Sequence, residues 1–330
     1  MLGLRGLAAL YVAAFHCRLL TYGSAGPWWL GWLAYGRIAV VFFLVLSGFS
    51  LALSPTLASA GVREFARRRA LRILPAYWAA LAISLAVAAF VVPASHQGPP
   101  TGETVVVYGL MLQDLFVAPT PNGAFWSLAV EVELYAVFPL LVFLRRRLGA
   151  AALIGLAVAF ALLAGTPYEG VNRLFPNLLP AFAGGVLGAS ARPARAKWWS
   201  LLTAAPIAAV LVVHGPAWAA HHYFWLDLAV VPSMVFFLIA VRTGWLRRML
   251  DSAPLRSLGS FSYSLYLIHL PIVMVVGRKL GQSFWITLAV GLPLSVLCAW
   301  IFAKVFERPF RSSGQVQSLR QVDRSARMAA

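Results

Sequence analysis

The sequence predicts an all-α membrane protein, a polytopic bundle of about ten transmembrane helices with both termini on the cytoplasmic side. Three observations carry that expectation. First, 61% of the 330 residues are hydrophobic and only 11% are charged, with a mean hydropathy of +0.80, whereas a soluble domain carries about a quarter charged residues. So little polar surface cannot cover a water-facing globule, and apolar side chains must face lipid. Second, apolar stretches of the roughly 20 residues needed to cross hydrocarbon recur without a linker, which reads as one membrane domain over 1–311. Third, the basic residues stand in short runs between those stretches. A net charge of +17 on a soluble chain would point to nucleic acid; here its placement is that of cytoplasmic loops, which excludes a nucleic-acid partner.

The elements follow in order. Leu7 to Phe15 makes a short apolar core behind Arg5, as a signal peptide would, but His16 and Arg18 follow at once and further spans come after. The reading is a retained first helix over 4–22. Further spans are expected at 36–55, 74–93, 125–144, 149–166, 175–190, 199–215, 223–241, 258–277 and 284–304. The stretch 104–118 is shorter and is interrupted by Gln113 and Asp114. If it does not cross, every Lys and Arg except Arg18, Arg37, Arg173, Arg278 and Lys279 lies inside. If it crosses, each later loop inverts and the positive-inside pattern fails. Ten spans in the inner (plasma) membrane are therefore expected. The outer segment 94–124 is punctuated by Pro99, Pro100, Pro119 and Pro121 and is apolar enough to pack on the bundle. The tail, 312–330, is polar and basic and reads as disordered.

Ionisable side chains inside spans are costly and mark function by default. Arg5 and His16 are eleven residues apart, three helical turns, so they share a face about 16 Å apart along the axis. A guanidinium at the inner surface suits a phosphorylated soluble donor, and an imidazole above it suits proton or acyl transfer. The alternative is an orientation charge and a packed helix–helix hydrogen bonder; spacing alone leaves both open. In FWSLAVEVELY, at 125–135, Glu131 and Glu133 point about 200° apart, while Ser127, Glu131 and Tyr135 follow one another at one-turn spacing. Glu131 is expected to face inward. Arg69 and Arg72 in FARRRALRILPAYW (65–78) are helical neighbours, either a phosphate site or a positive-inside anchor. His269 lies in a hydroxyl-rich helix, SFSYSLYLIHLP, where a purely structural hydrogen bond is the simpler reading. His96, His214, His221 and His222 fall in outer loops with no acidic or cysteine partner at ligand spacing, so no metal is expected. Cys17 and Cys298 sit in apolar segments as small hydrophobes.

Five blocks taken together resemble the acyltransferase family 3 membrane proteins, which include bacterial O-acetylases of surface glycans: LRGLAALYVAAFH at 4–16, FFLVLSGFSL at 42–51, FARRRALRILPAYW at 65–78, FWSLAVEVELY at 125–135 and SYSLYLIHLP at 262–271. They come in the family's order, and the resemblance runs from residue 2 to about 311. It implies a ten-helix bundle that moves an acyl group, acetyl by default, from cytoplasmic acyl-CoA to an acceptor hydroxyl. No bound cofactor is implied. Arg5 and His16 match the family's Arg-ten residues-His motif, Arg69 and Arg72 its arginine pair, and Glu131 its first acidic position after Trp-Ser-Leu. Two positions depart from the pattern. Leu2 stands where the family often has Asp, which raises the expectation of a start upstream of Met1. Val132 and Glu133 replace the usual Glu and Gln, which touches the acceptor side. The stand-alone form, without a fused esterase-like domain, is expected.

On this resemblance Arg5, Arg69 and Arg72 would hold the phosphates of acyl-CoA, and His16 would act as general base or transient acyl carrier. Glu131 would orient the acceptor or His16, while Ser127, Tyr135 and His269 are candidate contacts for a glycan or other small hydroxylated acceptor. The rival reading is a transporter or flippase that uses the same buried charges as a path. No inverted repeat supports it.

Overall fold

The computed structural model describes residues 1–23, 26–91, 99–164, 175–192, 195–281 and 283–310. The expected tail over 312–330 and the positions His96 and Arg173 lie outside them. The described residues are helical, with no strand among them. In chain order the helices are α1 (Leu2–Tyr22), α2 (Gly36–Leu53), α3 (Thr56–Phe90), α4 (Gly102–Gly109), α5 (Trp126–Ala164), α6 (Leu179–Gly188), α7 (Ala196–His221), α8 (Tyr223–Ala240), α9 (Gly244–Leu250), α10 (Ala253–Ser260), α11 (Ser262–Leu280) and α12 (Phe284–Phe310). The chain is an all-α polytopic membrane bundle.

Among the described residues, seven helical stretches are long and apolar enough to cross a membrane: Trp28–Leu53, which includes α2, and α3, α5, α7, α8, α11 and α12. The difference from ten has three sources. α5 runs for 39 residues and holds two of the expected spans, separated at Gly149, whose φ of 84° breaks the helix. α1 is interrupted by Arg5, His16 and Arg18, and α6 is only 10 residues long.

Two expectations change in detail. The basic run over 63–72 is not a loop but part of α3, continuous with the span behind it. Glu64 explains this locally, since it pairs at 2.7 Å with both Arg67 and Arg68 one turn on, a spacing that supports helix. Over 104–118 the chain forms only one short helix. α4 has only 8 residues, about 12 Å of rise, too little to cross. A reciprocal Thr101–Thr104 cap starts it. Tyr77 Oη donates to Tyr108 O at 2.7 Å and Trp78 Nε1 to Gly109 O at 2.9 Å, tying it to α3.

Glycines set the closest helix contacts, as expected where lipid offers no hydrophobic drive between helices. A Cβ on Gly48 of α2 would sit 2.2 Å from Phe182 O, and one on Gly185 of α6 would sit 2.1 Å from Val45 O. Likewise a Cβ on Gly259 would meet Leu2 O at 2.0 Å. This second contact seats the first turn of α1 on α10 and so fixes where Arg5 points. Phe49, Phe138, Leu141 and Phe182 fill the centre between α2, α5 and α6, all fully buried.

Candidate active site

α1, α2, α5 and α11 line a partly open pocket whose walls include Arg5, Ser127, Glu131, Ser262, Tyr263 and Tyr266. Each helix contributes by its period. Ser127 and Glu131 are one turn apart on α5, and Ser262, Tyr263 and Tyr266 follow on α11. At the Arg5 end the polar groups are linked. Arg5 Nη2 donates to Ser47 Oγ at 3.4 Å, and Ser47 Oγ donates to Glu131 Oε1 at 2.8 Å. Tyr135 Oη also donates to Glu131 Oε1. Arg69 lies over the Tyr135 ring, 5.6 Å from its centroid, and equally over Phe65. Arg72 shares the electrostatic surroundings of Arg5 and Arg69. Arg5 and Arg69 thus both lie near the Glu131 carboxylate, with Arg72 beside them, although Arg69 and Tyr135 line a neighbouring pocket and not the one that holds Arg5 and Glu131; positive charge so concentrated suits phosphate oxygens.

At the other end stand two histidines. His16 Nδ1 is 2.9 Å from Val12 O and 3.1 Å from His269 Nε2. His269 is fully buried, and its Nδ1 lies 3.0 Å from Leu265 O and 2.8 Å from Tyr266 O. His16 is not among the groups lining the pocket. Tyr266 comes between: its ring is 5.9 Å from those of Phe43 and His269, and its hydroxyl is 2.5 Å from Ser127 Oγ and 3.1 Å from Ala124 O.

The sequence-derived candidates therefore fall into two groups on one axis. Arg5, Glu131, Tyr135, Arg69 and Arg72 gather at one end; His16 and His269 meet at the other, with Ser127 bonded to Tyr266 below them. His269, weighed as an acceptor contact or a helix–helix bonder, bridges α11 to α1 by lying against His16. Glu133 turns away from Glu131, as the spacing requires, and is half-buried. Burial, and then the charge of Glu133, push the carboxyl of Asp114 in the outer segment up to about 7.

Three positions in or beside the candidate site were not picked out from sequence. Ser47 bridges Arg5 and Glu131, and a serine in an apolar run announces nothing. Glu307, 1% exposed, accepts from Ser264 Oγ at 2.6 Å and belongs to the electrostatic surroundings of Arg5. It was findable, being one of only 10 acidic residues in the chain. Asn122, also 1% exposed, donates to Ser84 Oγ and to Leu267 O at 3.1 and 3.0 Å. Leu267 O is the carbonyl that Pro271, lacking an N–H, leaves without its helical donor, so Asn122 both repairs α11 and anchors the approach to Trp126. Outside the pocket, Arg37 pairs with the buried Asp227 at 2.7 Å, Asn177 donates to the same Asp227 oxygen at 2.9 Å, and the Tyr223 and Trp126 rings lie 4.2 and 5.0 Å from the guanidinium.

Comparison with known proteins gives a family and two relatives. The acyltransferase domain family, acyltransferase family 3, matches residues 2–304. The chain is 24% identical to "Putative peptidoglycan O-acetyltransferase YrhL" of Bacillus subtilis (strain 168), over 94% of this chain and 54% of that protein. It is 24% identical to "Peptidoglycan O-acetyltransferase OatA" of Listeria monocytogenes serovar 1/2a, over 94% and 55%. The chain thus spans about half the length of these curated relatives. No solved structure matches it. The chain belongs to acyltransferase family 3.

Proposed function

We propose that this member of acyltransferase family 3 is an integral plasma-membrane O-acyltransferase. It takes an acyl group, acetyl by default, from acyl-CoA at the cytoplasmic mouth and passes it to a hydroxyl of a glycan or similar small acceptor. The single observation that carries the reading is the polar axis of the bundle: Arg5 and Glu131 joined through Ser47 at one end, paired imidazoles at the other. The names of the two relatives favour acetyl as the group and a glycan as the acceptor class.

In this mechanism Arg5, Arg69 and Arg72 bind the donor phosphates, which a fixed positive cluster holds better than a hydrated surface does. His16 takes the proton of the acceptor hydroxyl as that oxygen attacks the thioester carbonyl. The C–S bond breaks, the departing CoA sulfur takes the proton from His16, and an ester and free CoA result. In the two-step variant His16 itself attacks, CoA leaves, and the acyl-imidazole then passes its group to the acceptor. Glu131 orients the polar groups between donor and acceptor.

The test is transfer from acetyl-CoA by purified protein in liposomes, read as free CoA and acetylated acceptor by mass spectrometry. His16→Ala abolishes transfer while its melting temperature and monodispersity in detergent stay those of the wild type. Transfer at the wild-type rate in that variant ends the proposal. A transporter would consume no thioester, so wild-type protein that releases no CoA points to that reading instead.

A further inference from the structure

The two histidines carry more than their proximity. We infer that His269 is a positioning residue that fixes which nitrogen of His16 carries the proton, so that His16 Nε2 is presented as a free lone pair. The inference rests on the role given to His16 above and adds how that role is prepared.

Carbonyl oxygens only accept, so a ring nitrogen facing them must donate. His269 Nδ1 faces two, Leu265 O at 3.0 Å and Tyr266 O at 2.8 Å. In a neutral ring that places the proton of His269 on Nδ1 and leaves Nε2 as an acceptor. This acceptor is 3.1 Å from His16 Nδ1, and Val12 O, a second acceptor, is 2.9 Å from the same atom. Both neighbours ask His16 Nδ1 to donate. The only neutral tautomer of His16 that satisfies them carries its hydrogen on Nδ1 and none on Nε2. Three helical carbonyls therefore fix two tautomers in series, and the outcome is a basic Nε2 on His16, the atom needed to take a hydroxyl proton or accept an acyl group.

His269 cannot readily turn out of this arrangement. It is fully buried on α11, and its ring lies 4.9 Å from that of His16 and 5.9 Å from that of Tyr266. Val12 O also receives the backbone N–H expected of α1, so it holds the His16 proton as a shared acceptor. Removing His269 accordingly weakens the tautomer preference without erasing it.

Three variants separate positioning from packing. His269→Ala removes both the anchor and the acceptor. His269→Asn carries an amide where Nδ1 was and keeps the anchor to the carbonyls. His269→Gln reaches where Nε2 was and restores an acceptor for His16. We expect kcat to fall about 10- to 100-fold in His269→Ala, the usual cost of losing a group that orients a reacting histidine, with the donor KM nearly unchanged. His269→Asn should stay with Ala, and His269→Gln should recover most of the rate. The independent readout is ¹⁵N NMR of histidine-labelled protein, with His16 assigned by its loss in His16→Ala. Wild type should show the Nδ1–H tautomer, and His269→Ala a mixture. An unchanged His16 tautomer in His269→Ala, or recovery by Asn rather than Gln, overturns the inference. If His16→Ala still transfers acyl groups while His269→Ala shifts the tautomer, the pairing stands and the catalytic role of His16 falls.

Discussion

Ser47→Ala takes a single hydroxyl out of the line that joins Arg5 to Glu131, and its consequence can be worked from the geometry. Ser47, 1% exposed, donates to the Glu131 carboxylate at 2.8 Å and accepts from Arg5 at 3.4 Å. A hydrogen bond to a charged group contributes about 1.5–3 kcal/mol, and one at the long edge of the allowed range much less. Glu131 keeps its bond from Tyr135, so part of the loss is offset. A net effect of about 1–2 kcal/mol corresponds to about a 5- to 30-fold change in an equilibrium constant. Because the hydroxyl aims Arg5 at the pocket, the change should appear mainly as a higher KM for acetyl-CoA, measured by CoA release in liposomes. A cycle with Glu131→Ala isolates the bridge. Residues in contact show coupling of about 0.5–3 kcal/mol, whereas independent ones add to within about 0.5 kcal/mol. Additive effects, or a donor KM that does not move in Ser47→Ala, would show that the bridge has no part in donor binding.

Three other outcomes are expected. Burial, and then the charge of Glu133, push the Asp114 carboxyl from its ordinary 3.8 up to about 7, so stability is full below about pH 4 and declines as pH rises to about 7. Asp114→Asn should therefore stabilise the fold at pH 8 by on the order of 1–2 kcal/mol, read as a higher melting temperature, and leave the melting temperature unchanged at pH 4; an equal shift at both values contradicts the assignment. Asp227→Ala leaves the Arg37 guanidinium without its carboxylate and should cost about 3–5 kcal/mol, whereas Arg37→Met combined with Asp227→Leu should cost far less. Thermal unfolding of both variants in detergent decides, and a double variant no more stable than the single one refutes the buried-pair account. Finally, cysteines placed at 145–147 in a chain with Cys17 and Cys298 replaced by serine should resist impermeant thiol reagents added outside intact cells; labelling from outside would overturn the orientation.

Much of the fold was legible because lipid imposes a simple rule. A segment must be helical and apolar to cross, and composition alone reveals where that happens. The sequence argument against a crossing at 104–118 came from keeping the arginines on one side, and the 8 helical residues of α4 are too few to cross. The basic run over 63–72 was less so. Its charges read as a loop, while the Glu64 pairs at three and four residues were the local signal for helix. In the pocket, the one-turn ladder of Ser127, Glu131 and Tyr135 followed from helical period, and so did the opposite facing of Glu133.

What the sequence by itself determined is a helical membrane bundle and the facing of groups along each helix, because period and apolarity are properties of one segment at a time. Which helix lies against which is decided by packing between segments far apart in the chain. Only the tertiary structure could bring Ser47 between Arg5 and Glu131, set Glu307 near the same cluster, or lay His269 against His16, 253 positions away in the chain. The close seating of α1 on α10 at Gly259 and of α2 on α6 at Gly48 and Gly185 made those meetings possible. Backbones approach that closely only where no side chain stands between them.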